Sequence, residues 1–192
     1  KRQTDEPWVS CNSSTATLLT WYRNNVLHLF AAPSLIALLV SRAKAGIQER
    51  QLAKQFRIIY PFVAQELTIN EALALEPVIQ ALSGMGLITR RDGYLRPASK
   101  PGEHYAQLAQ LSTLLLEMLQ RLYVVICIAN QASLERDELR SISQASARKL
   151  ARLFGLQGAE FSEDRQFDLF IDRLISVQYL SIDERDRLIA SC

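Results

Sequence analysis

Two histidines, His28 and His104, are the only imidazoles in this chain of 192 residues. Histidine acid–base chemistry near neutral pH would have to use one of them. His28 stands among apolar residues in VLHLF. There it reads as a partly buried helix residue bonded to a neighbour, with a general base or ligand as the competing reading. His104 follows Pro101-Gly102 at a helix start and reads as exposed. No Glu-x-x-His, His-x-x-x-His or Cys/His cluster occurs, so no metal site is expected. The glycines are isolated, and Gly84-Met85-Gly86 precedes a strand instead of opening a helix, which is the wrong context for a phosphate loop. No cofactor is expected. A Ser/His/Asp triad has no nucleophile elbow to stand on. Cys11, Cys127 and Cys192 are far apart and no Cys-x-x-Cys occurs, the pattern of a reduced, cytosol-facing protein.

Two further groups have the side chains for binding. In TWYRNN, the run Tyr22, Arg23, Asn24 and Asn25 concentrates hydrogen-bond donors one turn before a long apolar stretch. Such a group pins a helix against another domain or binds phosphate; the competing reading is a buried structural cluster. Arg42, Lys44, Arg50 and Lys54, with Arg57, are spread over a helix and the start of the next. They could face anionic lipid or simply form a solvated face. A net charge of +2 does not imply nucleic acid. The segment PVIQALSGM, placed where a recognition helix would lie, has no Lys or Arg, and only Arg90, Arg91, Arg96 and Lys100 beside it are basic. Base readout needs polar or basic side chains on the inserted helix, so a nucleic-acid partner is not expected.

The elements that position these groups read as mainly α, with one or two short β-hairpins. The composition, 48% apolar and 22% charged with few glycines and prolines, suits a globular helical chain. Residues 1–16 are polar and read as a linker or interdomain segment, and the opening KRQTDEPW without a methionine suggests a piece of a longer protein. Helical periodicity from Ala16 to Phe30 is expected to stop before Pro33, which starts a second helix over Pro33–Ala45 with Gly46 as its stop. The apolar stretch Val26–Val40 is shorter than the ~20 residues of a spanning helix, and two packed helices are expected there. Ile47, Leu52 and Phe56 fall at helical spacing, and YPFVAQEL restarts a helix after Pro61. A short helix from Pro77 ends at Gly84 and Gly86. The strands LIT and YLR then flank Arg90-Arg91-Asp92-Gly93, with Asp-Gly as the turn signal. That succession is the ending of a winged-helix unit.

The longest helix is expected over 103–129, with Leu108, Leu111, Leu115, Met118, Leu122 and Val125 along one stripe and a buried VVICIA end. LERDELRSISQASARKLARLFG reads as a short helix followed by a longer one, with Ser143 as N-cap and Gly155 as stop. A helix with Phe167, Phe170, Leu174 and Ile175 inward then feeds a strand near Tyr179–Ile182. The two halves run in parallel: IQERQL…VIQALSGMGLIT answers LERDEL…FIDRLISVQYLS. The expectation is a helical domain over 17–192, whose sub-units 17–101 and 102–192 read either as a coincidence of small helical modules or as a duplication of winged-helix-like units.

At WYRNNVLHLFAAPSLIA the chain resembles the membrane-associated bacterial glycerol-3-phosphate acyltransferases. The resemblance continues through YPFVAQEL, PVIQALSGMGLI, LAQLSTLLLEMLQRLYV, LERDELRSISQASARKLARLFGLQGAEF and LISVQYLS, about Thr20 to Ser181. The Tyr-Arg-Asn piece is also similar to that of dihydroxyacetone-phosphate acyltransferases, and Trp21 stands where a second tyrosine would be expected. The resemblance implies the C-terminal part of an enzyme that acylates the 1-hydroxyl of glycerol 3-phosphate from acyl carrier protein or coenzyme A. It implies a cytoplasmic face of the bacterial inner membrane, bound peripherally. The N-terminal acyltransferase domain of the same protein would be the partner, with acyl carrier protein and anionic membrane lipid as further contacts. That family's chemistry needs His-x-x-x-x-Asp. Here Pro33 follows His28 by five positions and Ala109 follows His104, so no catalytic residue carries over. A stand-alone winged-helix interaction or regulatory module is the alternative.

Overall fold

A computed structural model describes residues 12–43, 45–70, 73–154 and 164–191, with the backbone alone at positions 13, 14, 16–18, 20, 21, 23–25, 151, 154, 164 and 165. Among the described residues, seven helices and six short strands follow one another in two similar sets. The first set is α1 (Ser13–Arg42), β1 (Ile47–Gln48), α2 (Glu49–Glu66), α3 (Leu75–Gly84), β2 (Ile88–Arg91) and β3 (Tyr94–Pro97). The second is α4 (Glu103–Thr113), α5 (Leu116–Ala129), β4 (Leu134–Glu135), α6 (Arg136–Phe154), α7 (Asp164–Ser176), β5 (Leu180–Ile182) and β6 (Arg187–Ala190). Each set folds its strands into a small antiparallel sheet with the last strand in the middle, in the orders β1-β3-β2 and β4-β6-β5. This is the winged-helix arrangement, and it occurs twice.

The repetition extends to single hydrogen bonds. At the end of α3, Leu87 N–H donates to Leu82 O at 3.0 Å and Gly86 N–H to Ser83 O at 2.9 Å. At the end of α7, Tyr179 N–H donates to Leu174 O and Gln178 N–H to Ile175 O, both at 2.9 Å. Ile47 faces Leu95 in one sheet as Leu134 faces Leu188 in the other. The equivalent core pairs Leu52/Leu139, Ile79/Ile171, Leu82/Leu174 and Ile88/Leu180 are buried in both. The two sets nevertheless share one continuous apolar core, running from Leu27 to Leu188. Between them Arg121 of α5 donates to Glu66 of α2 at 2.5 Å, with side chains only 4% and 9% exposed.

Several sequence expectations change. The helix begins at Ser13, with the Asn12 side chain capping it by accepting from Thr15 N–H at 2.8 Å, so the expected linker ends sooner. Instead of two helices meeting at Pro33, α1 is one helix that passes through it. A mid-helix proline costs about 3 kcal/mol, but Ala31, Ala32, Leu35, Ile36, Ala37 and Val40 around it are buried, and that packing holds the helix together. For the same reason α2 passes through Pro61, next to buried Phe62 and Val63. Ile47 belongs to β1, not to a helix.

The reverse holds at 103–129, where the expected single helix is two, bent by 47°. Ser112 Oγ and Thr113 Oγ1 donate to the carbonyls of Ala109 and Gln110, both at 2.7 Å. Such back-bonding competes with the helical ladder and bends it. Ser143 caps nothing: α6 runs unbroken through it, and it is buried between Leu139 and Ala147. Gly155 lies outside the described residues. The hairpin turn at Asp92-Gly93 is as expected, with φ of +54° and +73°, a two-residue turn that needs a left-handed backbone twice. Among the described residues no single helix is long and apolar enough to cross a membrane; α4 and α5 reach that length only together.

Candidate functional site

The sequence-predicted site residues fall into two separate places. Tyr22 is on the outer face of α1, 62% exposed. Arg23, Asn24 and Asn25 lie in the same turns of the helix, and their side chains are outside the described set. Arg42 is in the last turn of α1. At 1.5 Å per residue the two ends of this group are roughly 30 Å apart along the helix, so they do not form one site. The stretch Val26–Val40, expected to be packed throughout, is packed only from Ala31 onward, apart from Leu27; Val26, Leu29 and Phe30 are exposed.

Lys44 is outside the described residues; Arg42 ends α1, while Arg50 and Lys54 lie on α2. They border two adjoining open grooves on the outer side of α2. One is lined by Leu39, Arg42, Gly46, Gln51 and Ile58, the other by Arg50, Lys54 and Arg57, and the two share Gln51 and Ile58. Positions 50, 54 and 57 recur at helical spacing, so one face of α2 carries all three charges. The acids of α2 are engaged elsewhere: Glu49 with Arg90 of β2, and Glu66 with Arg121. Exposed Ile58, at 59%, sits between the basic residues. Arg57 and Ile58 complete a mixed basic and apolar face that the charge count alone does not reveal.

Of the basic residues beside the candidate recognition helix, Arg90 is held by two carboxylates. Arg90 donates to both oxygens of Glu49, at 2.8 and 2.6 Å, and to Glu76 at 2.5 Å. These bonds raise the Arg90 guanidinium further above its ordinary value, Glu49 contributing most. The Glu76 carboxyl is held below the ordinary carboxylate range, first by Arg90 and then by Gln80. An arginine held by two carboxylates is poorly placed to meet phosphate.

Among the described residues, neither histidine is paired with a carboxylate or set in a buried pocket. His28 is exposed on α1, contrary to the partly buried position expected from its apolar neighbours, because it lies on the outward side of turns where Leu27 alone turns into the core. His104 is exposed at the start of α4, its ring against Gly86. Among the described residues no group of three or more His, Cys, Asp or Glu could hold a metal ion.

The described residues thus form paired winged-helix-like units joined by a buried ion pair, a mainly helical region. The chain belongs to the family of the glycerol-3-phosphate acyltransferase C-terminal region, whose model matches residues 1–183. It is 32% identical over 186 residues to a glycerol-3-phosphate acyltransferase of Pseudomonas fluorescens (strain Pf0-1), covering 92% of this chain and 22% of that protein. A glycerol-3-phosphate acyltransferase of Pseudomonas aeruginosa (strain UCBPP-PA14) is 35% identical with the same coverage. The chain thus spans about a fifth of the length of the curated relatives it matches, 22%. No solved structure matches it. Nothing in the fold or the comparisons favours a stand-alone module.

Proposed function

We propose that this region is the non-catalytic C-terminal part of an enzyme that acylates glycerol 3-phosphate at its 1-hydroxyl, using acyl carrier protein or coenzyme A thioesters, in phospholipid synthesis. The observation that carries this reading is the family match over residues 1–183. In the reaction a base takes the proton of the 1-hydroxyl, the oxygen attacks the thioester carbonyl, and the thiol leaves. The His-x-x-x-x-Asp needed for that step is absent from this chain, so the base belongs to the N-terminal acyltransferase domain of the same protein.

In this reading Tyr22, Arg23, Asn24 and Asn25 face that domain. Arg42, Lys44, Arg50 and Lys54, with Arg57, face an anionic partner: lipid at the cytoplasmic surface of the bacterial inner membrane, or acyl carrier protein. Binding through such a face weakens as salt rises. The test is to incubate the full-length protein and, separately, the 192-residue chain with glycerol 3-phosphate and an acyl donor, and to measure 1-acylglycerol 3-phosphate. The full-length protein is expected to turn over and the chain alone is not. Turnover by the chain above a heat-killed control, lost in His28→Ala, would make His28 the base and overturn the assignment.

A further inference from the structure

The outer face of α1 is unlike any other surface among the described residues. Leu19, Tyr22, Val26 and Leu29 follow at intervals of three, four and three, with Phe30 beside them, and all are between 45% and 66% exposed. That spacing is the seam of a helix packed against another helix. It forms an apolar stripe about 100° wide. Charge is nearly absent from the helix: from Ser13 to Ser41 the only Lys, Arg, Asp or Glu is Arg23. A helix that stays solvated normally carries charges on its free face. By contrast, α6 and α7 face water with ion-paired Arg136, Arg140, Asp168 and Asp172.

We infer that the stripe Leu19-Tyr22-Val26-Leu29-Phe30 is the docking seam for an apolar helix face from the N-terminal part of the same polypeptide. This inference rests on the reading proposed above and names the contact that joins the two parts. It replaces polar pinning by Arg23 and its neighbours with apolar helix–helix packing as the main source of attraction. Three observations select this occupant. Five half-exposed side chains offer on the order of 500 Å² of apolar surface, below the roughly 800 Å² per partner that separate molecules bury in a stable complex. A tethered partner needs less, because covalent linkage holds it at an effective concentration of about millimolar. A bilayer fits poorly, since interfacial helices carry several Lys or Arg along the polar side, and this one has only Arg23 before the Arg42 that ends it. The curated relatives also have ample chain to supply the helix, as this region matches only 22% of their length.

The test places the photoreactive amino acid p-benzoylphenylalanine at position 22 or 29 of the full-length protein, with position 123 as control. Tyr123 is just as exposed, at 67%, but lies on α5, away from the stripe. After irradiation, the expected result is an intramolecular cross-link to residues preceding this region, several-fold above the control, without a dimer-sized product. Cross-links to a second copy or to lipid, or none above the control, would overturn the inference. An acyltransferase assay on the unmodified protein separates the two failures. No activity sinks the proposed reaction whatever the cross-link shows, while activity with the wrong cross-link sinks the seam alone.

Discussion

The two halves of the chain carry the same strand order and the same helix-ending hydrogen bonds, yet their hairpins are secured by different chemistry. In the first half Arg90 on β2 is clasped by Glu49 at the start of α2 and Glu76 on α3. In the second half the register places Arg136 where Glu49 stands, Asp168 for Glu76, Asp172 for Gln80 and Ile182 for Arg90. The arginine has moved from strand to helix. Arg136 now reaches Asp172 at 2.6 Å and Asp168 at 3.5 Å, so the charges join α6 to α7 and leave β5 untied. The second hairpin is instead ordered within its own turn, where the Asp183 carboxylate accepts from Arg185 N–H and Arg187 N–H, both at 2.8 Å. A topology can thus be kept while its polar fastenings change, because the apolar pairs beneath set the fold. The polar groups need only end up satisfied.

The largest test of this picture asks whether the halves stand alone. They are repeats in topology but share one core, and Arg121–Glu66 is buried where they meet. Removing one partner of a buried ion pair typically costs about 3–5 kcal/mol, whereas replacing both by apolar groups is close to neutral. Arg121→Ala should therefore lower the urea midpoint strongly, and Arg121→Met with Glu66→Leu should recover most of it. Both variants should unfold in a single transition. Two separated transitions would mean that each half is stable by itself and would break the comparison in favour of independent domains.

A smaller effect is expected two residues past the ends of α3 and α7. The chain turns into the left-handed region at Gly86, φ +71°, and at Gln178, φ +59°. Glycine does this freely, while a side chain costs about 1 kcal/mol. Gln178→Gly should raise the melting temperature by a few degrees, as roughly 0.5–1 kcal/mol is returned. Gly86→Ala should lower it by more, since the added Cβ would also meet the His104 ring at 3.1 Å. A Gly86→Ala variant as stable as the parent would show that the two helix ends are not under the same constraint.

The same positions show what could be read from the sequence. Asp92-Gly93 was legible because a two-residue turn demands backbone angles that few residues adopt. The repeat was legible because buried strands and helices keep their apolar spacing. Helix boundaries were less so, since proline at 33 and 61 and serine at 112 and 143 are local signals whose outcome depends on packing. Dense burial around Pro33 overrode a missing hydrogen bond. At Ser112-Thr113 the hydroxyls turned back onto carbonyls and bent a helix of otherwise good periodicity. Of the candidate residues, Arg42, Arg50, Lys54 and Arg57 were singled out by charge, but that they border adjoining grooves with exposed Ile58 beside them needed the fold. The apolar seam on α1 was hidden because Leu19, Val26 and Leu29 look like core until the structure leaves them uncovered.

The smallest expected effect separates the two hairpins by pH. Glu76 and Asp183 both titrate below the ordinary carboxylate value of about 4: Glu76 because Arg90 and Gln80 donate to it, Asp183 chiefly because the Arg187 amide does. A carboxyl whose value is lowered by folding stabilises the fold fully above its unfolded value, and that contribution fades as pH falls through the folded one. Both effects should therefore be complete at neutral pH and disappear below about pH 4. Both groups are at the surface, where such contributions are small and screened, so local probes are needed. Amide shifts followed by NMR on acidification should move at Arg185 and Arg187 in the second turn. In the first hairpin the change should appear near Arg90, while Gly93, whose turn is set by backbone geometry, stays still. Asp183→Asn keeps an oxygen acceptor without a proton to gain, so its turn amides should no longer respond to acid. If the Arg187 amide is indifferent to pH in the parent, or still titrates in Asp183→Asn, the turn is not organised by its carboxylate and the contrast between the hairpins fails.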